Sequence, residues 1–311
     1  IVVAILDDGF QTDHPDLAAN VWVNHEEIPG DGIDNDNNNY TDDYKGMNIT
    51  TGDDAHPIRK HGTQVAGVIG ARGNNGIGVT GVNWRVKLML ISGGNFESEL
   101  IEAYDYALAM RKKYRETGGT SGAFVVATNL SGGLDFAKPE DHPLWCDMYN
   151  KLGQEGILSV TAAPNESISV DEEGDMPTRC TSSYMIAVTN VDLSDVLLEN
   201  AGFAAVSIDI GATGHGTINI AHNNQYVEFT GTSAAAPHVT GTIALMYSTP
   251  CSTFLRNIDT NPAGVALMVK DIILSTGTDN ASLEGVTLTG KRLQADAALL
   301  ETITECGNED R

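Results

Sequence analysis

The chain alternates short apolar runs with longer stretches that are apolar on one side only. Mostly apolar runs at residues 1–6, 86–91, 124–127, 157–160, 185–191 and 204–210 have the length of strands. They lack the regular polar interruptions of a half-exposed strand, so they read as strands buried on both faces. Residues 97–115 and 143–154 repeat apolar positions at helical spacing, and residues 233–247 are apolar all round, the mark of a buried helix. Two further helices, at 263–276 and 295–303, are expected to close the domain. This alternation predicts the α/β class: a three-layer arrangement with a mostly parallel central β-sheet and helices on both faces. With no internal repeat and no low-complexity linker, residues 1–311 read as one domain. No apolar run reaches the length that spans a bilayer, so no membrane partner is expected.

One segment does not fit a purely structural reading. Phe229-Thr-Gly-Thr-Ser-Ala-Ala-Ala-Pro-His-Val239 sets Ser233 between a glycine turn and a helix of small residues. Gly231 allows the backbone to turn sharply after the β-prone run 226–229. Ser233 then opens the helix, where unpaired N–H groups and the helix dipole stabilise an oxygen that gains negative charge. A Gly-Thr-Ser alone is usually an N-cap turn. Ala-Ala-Pro-His after it weakens that reading and makes Ser233 a candidate nucleophile, which needs a base and a group to orient the base.

Two segments supply them. The strand run Ile1-Val-Val-Ala-Ile-Leu-Asp7 ends in a carboxylate followed by Asp8-Gly9, where a parallel strand leaves the sheet. Lys60-His-Gly-Thr-Gln-Val-Ala-Gly-Val-Ile-Gly70 places His61 at the start of a helix of small residues. In that order, Asp7-Asp-Gly, His61-Gly-Thr and Gly231-Thr-Ser233-Ala-Ala-Ala-Pro-His resemble the signature blocks of the subtilisin-like serine proteases, the subtilases, over roughly positions 1 to 300. The resemblance implies a serine endopeptidase in which Ser233 attacks the peptide carbonyl, His61 moves the proton and Asp7 orients the imidazole. Asp8 stands where the family has Ser or Thr; neighbours in a strand face opposite ways, and the family register favours Asp7.

The same resemblance extends to a substrate cleft. Asn165, in Ala162-Ala-Pro-Asn-Glu166, matches the family's oxyanion asparagine, although Pro164 replaces the usual glycine and Asn165-Glu-Ser167 is also a glycosylation sequon. Asn129-Leu-Ser131-Gly132-Gly133 resembles the edge that pairs with an extended peptide, with the partner edge near Gly93-Gly94, and Gly132 stands where a larger residue often floors a pocket. Glu166 and Asp175 fall near the first specificity pocket and would favour lysine or arginine before the cut. In a chain with 42 acidic residues, two loop carboxylates decide little by themselves.

The net charge of −24 argues against a nucleic-acid partner and for cations. Much of the acidity lies in residues 20–54, an insertion between the first two blocks. Within it, Asp34, Asp36, Asn38, Tyr40 (through its carbonyl) and Asp43 resemble the start of an EF-hand loop and point to Ca2+. Asn39 occupies the position of the usual glycine, and Lys45 that of the closing glutamate. A second calcium site is implied by the resemblance alone, with side chains from Asp16 and Asn75 and carbonyls from Gly73, Ile77 and Val79.

Four cysteines without metal-type spacing suggest two disulfides in a secreted, extracellular protein. Three connectivities are open; shorter loops close more readily, which favours Cys146–Cys180 and Cys251–Cys306. The resemblance further implies residues before Ile1, a folding propeptide as partner, extended peptide or protein substrates, and a monomer. An inactive binding module and a non-proteolytic esterase are the competing readings. The intact Asp7, His61, Ser233 and Asn165 oppose the first, and the absence of a Gly-x-Ser-x-Gly elbow opposes the second.

Overall fold

A computed structural model describes residues 1–249 and 256–308. Its centre is a nine-stranded sheet. From the middle outward on one side run β1 (Val2–Asp7), β3 (Lys87–Ser92) and β2 (Met47–Asn48). On the other side β4 (Val125–Leu130), β6 (Leu158–Ala162), β8 (Met185–Val191), β9 (Ile210–Thr213), β13 (Lys291–Arg292) and β12 (Thr278–Asp279) follow. All neighbours are parallel except β12 and β13.

A parallel sheet must be covered on both faces, and the alternation along β1 shows how. Val3 and Ile5 enter one hydrophobic cluster, whereas Val2, Ala4 and Leu6 enter the other. The first cluster is closed by α1 (Lys60–Gly70), α5 (Thr232–Tyr247), α6 (Pro262–Thr276) and α7 (Ala295–Asn308). The second is closed by α2 (Glu97–Glu116) and α3 (Pro143–Gln154). Three layers result, as the alternation of runs predicts. A short helix, α4 (Val170–Glu173), and a two-stranded ribbon of β5 (Leu134–Asp135) with β7 (Asp175–Met176) lie outside the main sheet.

Because β1 is flanked by β3 and β4, the chain leaves it in one direction and later returns on the other side. Such a switch opens a crevice at the carboxyl ends of the strands, and Asp7 is the last residue of β1.

Two parts of the sequence reading need correction. Residues 204–210 do not form a strand; only Ile210–Thr213 pairs with β8. The carboxylate of Asp209 instead accepts the backbone N–H of Ala187 at 2.8 Å, so a side chain takes the place of a ladder bond. The second is a hairpin of β10 (Thr217–Ala221) and β11 (Gln225–Phe229), of which only 226–229 is β-prone in sequence. Asn223 and Asn224 both have positive φ, 61° and 55°, the conformation a tight hairpin turn demands. The hairpin packs on α1 so closely that a Cβ on Gly67 would lie 2.3 Å from the Asn219 amide oxygen.

Candidate active site

Asp7 and His61 meet because β1 and α1 pack without side chains between them. A Cβ on Gly62 would fall 2.3 Å from the Gly9 carbonyl and 2.9 Å from the Asp7 Cβ. At that separation His61 Nδ1 lies 2.7 Å from Asp7 Oδ1, which also accepts the Asp8 N–H. Asp7 is 8% exposed and its Oδ2 is buried without a partner. Burial disfavours a proton on His61, but the hydrogen bond and charge of Asp7, aided by Asp8, outweigh it and raise the imidazole pKa above 6.5. Asp8, one residue beyond the end of β1, accepts the Gly62 N–H at 3.3 Å and keeps a carboxylate oxygen within 4.8 Å of both Asp7 and His61.

The start of α5 is built around two sequence features. Gly231 has φ of 133°, and a Cβ there would stand 3.0 Å from Asn165 Oδ1, so the turn requires glycine on both counts. Pro237 lacks an N–H, which leaves the Ser233 carbonyl without its usual partner one turn later. The Ser131 hydroxyl fills that place at 3.2 Å. The Ser131 carbonyl in turn accepts the Ser233 hydroxyl at 3.2 Å. Ser131 is itself held by the Asn129 amide at 3.0 Å.

This exchange replaces one expected contact. The Ser233 hydroxyl donates to the Ser131 carbonyl and not to His61. Free active sites often hold such bonds open until substrate enters.

Asn165 is oriented without ambiguity. Its Oδ1 accepts both the Thr232 N–H, at 2.9 Å, and the Thr232 hydroxyl, at 3.1 Å. Its Nδ2 has no protein partner among the described residues and remains free to donate. Pro164 does not disturb this wall, since its carbonyl accepts the Gly202 N–H at 2.9 Å.

Two adjoining cavities share Ser131, Gly132 and Gly133. One, of about 260 Å³, is lined by Asp7, His61, Gly93, Gly94, Leu100 and Trp145, among others. The edges at Gly93-Gly94 and at residues 131–133 thus face one groove. Open space surrounds the position a Gly132 Cβ would take, so nothing floors the pocket there. The other cavity, of about 210 Å³, is lined by Ser233, Asn165, Glu166 and Asp175. It also holds Asp135, which nothing in its sequence surroundings singles out.

The acidic insertion folds differently from an EF-hand start. Glu27, Asp36 and Asp43 bring carboxylate oxygens within 4.8 Å of one another. Asp34 stays outside: its two oxygens accept the N–H groups of Asn38 and Asn39. Asn38 donates its amide to Asp36 and Asp43, and the Tyr40 N–H donates to the Asn38 side chain. Glu27 was invisible to a motif read from Asp34 onward, because its partners come together only in the folded loop. One Glu27 oxygen takes the N–H groups of Asn35 and Asp36, while Oε2 is buried with no partner. Burial raises the Asp43 carboxyl to about 6, although Tyr106, Asn38 and Asn24 oppose this by hydrogen bonding. An orphaned carboxylate oxygen beside two others is a donor set that fits a hard cation.

At the second implied calcium site, Asp16 is fully buried and accepts the Asn75 amide at 2.5 Å and the Val79 N–H at 2.8 Å. The Ile77 N–H donates to the Asn75 side chain, and Gly73 packs against Trp84 in the same loop. Asp16, Asn75 and Val79 are therefore together, with Val79 engaged through its N–H. Cys146 and Cys180 form a disulfide, whereas Cys251, and with it the expected Cys251–Cys306 pairing, lies outside the described residues.

A parallel α/β sheet with a buried aspartate bound to a part-exposed histidine, and a helix-start serine beside them, is the architecture of a subtilisin-like serine protease domain. The chain belongs to the subtilase family, whose model matches residues 1–289. It is 30% identical over 275 residues to subtilisin-like protease 1 of Plasmodium berghei, covering 79% of this chain and 42% of that protein. It is 29% identical over 264 residues to the major intracellular serine protease of Bacillus subtilis, covering 83% of this chain and 72% of that one. The chain therefore spans less than half the length of the Plasmodium relative. The fold is also that of a solved lanthipeptide protease, with a TM-score of 0.71 at 19% identity, over 97% of this chain and 87% of the other.

Proposed function

We propose that the chain is a serine endopeptidase domain acting through Ser233, His61, Asp7 and Asn165. The observation that carries this reading is the Asp7-bound imidazole of His61 on the same cleft as Ser233 and the unpartnered Asn165 Nδ2. His61 Nε2 takes the proton of Ser233 as Oγ bonds to the peptide carbonyl carbon. The carbonyl oxygen becomes an oxyanion, which accepts hydrogen bonds from Asn165 Nδ2 and the Ser233 N–H at the start of α5. As the C–N bond breaks, His61 returns the proton to the leaving amine. Water then repeats the sequence on the acyl-enzyme and frees Ser233. An extended peptide lies between the edges at Gly93-Gly94 and residues 131–133, the groove that a propeptide would also occupy.

Calcium belongs to the same proposal. Glu27, Asp36 and Asp43, with Asn38 and the Tyr40 carbonyl, would hold one ion. Asp16, Asn75 and the carbonyls of Gly73, Ile77 and Val79 would hold another. The ions would offset carboxylate repulsion in a chain of charge −24 and take no part in the chemistry. The Cys146–Cys180 disulfide supports an oxidising, extracellular setting. In this reading the domain acts as a monomer.

A fluorophosphonate that labels serine nucleophiles tests the catalytic reading. Wild-type protein should be labelled at Ser233 and should cleave casein, and Ser233→Ala should do neither. An inactive peptide-binding module, favoured by the bond from Ser233 to Ser131, would instead bind peptides without labelling.

A further inference from the structure

We infer that the cavity beside Ser233 selects a cationic side chain, arginine or lysine, on the acyl side of the bond to be cut, with Asp135 and Asp175 as its recognition pair. The inference rests on the endopeptidase reading above. It starts from the ribbon of β5 and β7, where Asp135 stands directly opposite Asp175 in the antiparallel register. Opposed residues in such a pair send their side chains to the same face. That face borders the cavity of about 210 Å³ whose lining also contains Ser233 and Asn165. A residue that places its carbonyl at Ser233 and its oxygen at Asn165 has this cavity for its side chain.

The lining is charged on one side of the ledger only. It contains Asp135, Glu166 and Asp175 and no lysine, arginine or histidine. Among the described residues none of the three forms an ion pair. Asp175 is 2% exposed, and one of its oxygens takes the Thr178 hydroxyl. Burial, together with the charge of Asp135 and against the hydrogen bonds from Thr178, holds its carboxyl up at about 7. Like charges set opposite each other are unfavourable unless something offsets them. A guanidinium or ammonium entering the cavity removes both the repulsion and the unpaired burial. An apolar side chain would shut out water and leave Asp175 with Thr178 alone.

The walls suit a long, thin side chain. Gly132, Gly133, Ala162 and Ala163 line the passage toward Asp175 and leave room for an aliphatic stem. Asp135 and Glu166 are exposed, and an acidic rim draws a cation in. Sequence alone offers Glu166 and Asp175 among many loop carboxylates. The ribbon register adds Asp135 and gives the pair a direction.

The test uses matched peptides that differ only before the scissile bond: arginine, its uncharged isostere citrulline, and leucine. Charge-assisted hydrogen bonds predict kcat/KM for arginine about 10–100-fold above citrulline. Asp175→Asn and Asp135→Asn should each shrink that ratio, and the double variant should bring it near one. Because the ratio is taken within each protein, a general loss of activity cancels. Should a variant fail to fold, wild-type inhibition by benzamidine decides, since a neutral benzamide should inhibit at least tenfold more weakly. A wild-type ratio near one, a ratio unmoved in the double variant, or equal inhibition by the two compounds overturns the inference. Fluorophosphonate labelling separates the two readings. A labelled enzyme indifferent to charge overturns the pocket assignment alone, whereas a protein that neither labels nor cleaves overturns both.

Discussion

Replacing Asn165 by aspartate keeps an Oδ1 acceptor, removes the Nδ2–H donor and sets a carboxylate charge beside the oxyanion, so the loss it measures is at least that of the donor. In the structure Oδ1 is committed twice, to the Thr232 N–H at 2.9 Å and to its hydroxyl at 3.1 Å. Turning the amide over would break both bonds, about 1 kcal/mol each, so the flipped form is populated at about one part in 30. The donor therefore faces the cleft almost all of the time. Losing such a donor removes about 3–4 kcal/mol of transition-state stabilisation, equivalent to a fall of about 10²–10³ in kcat. KM should move only a few-fold, since the ground-state carbonyl gains little from this group. Thr232→Val provides the control: it removes the hydroxyl bond but leaves the N–H, so stability should fall by about 1 kcal/mol and kcat by less than tenfold. Steady-state hydrolysis of a peptide anilide, with thermal melting on the same samples, measures both. A kcat loss in Asn165→Asp of less than tenfold, or one carried by KM, would refute the assignment of Asn165.

Three further outcomes are expected. His61 acts as a base only when neutral, so kcat/KM should rise with pH through a value above 6.5 and level off once the imidazole is deprotonated; Asp7→Asn should lower that midpoint and cut kcat by about 10⁴, and an unshifted midpoint would contradict the pairing. Calcium at 100 times its dissociation constant stabilises a one-site protein by about 2.7 kcal/mol, so chelation should lower the melting temperature by about 4 °C per site and calcium should restore it. Glu27→Gln should shrink that response, whereas an identical melting curve with and without chelator would remove both metal proposals. The Cys146–Cys180 bond closes a separation of 34 residues, for which chain entropy predicts about 4 kcal/mol; denaturant unfolding of a Cys146→Ala/Cys180→Ala variant should show a loss of that order, and an unchanged midpoint would sink the estimate.

What the chain determines by itself is local. Strands β1, β3, β4, β6 and β8 were legible because burial on both faces removes polar residues from short runs. The helices from Pro143 and from Pro262 begin where proline sits in the first turn and costs no hydrogen bond. The blocks around Asp7, His61 and Ser233 were legible because a tight turn, a helix start and a close packing each demand particular residues in sequence. The tertiary structure alone decided what those residues meet. It set Asp135 opposite Asp175, joined Glu27 to Asp36 and Asp43 in place of Asp34, ended a ladder at Asp209, and turned the Ser233 hydroxyl to Ser131. Each of these is a contact between segments whose spacing along the chain carries no periodic signal. Side-chain period reports which face of an element is buried, but the partner on that face is chosen by sheet order, register and loop path.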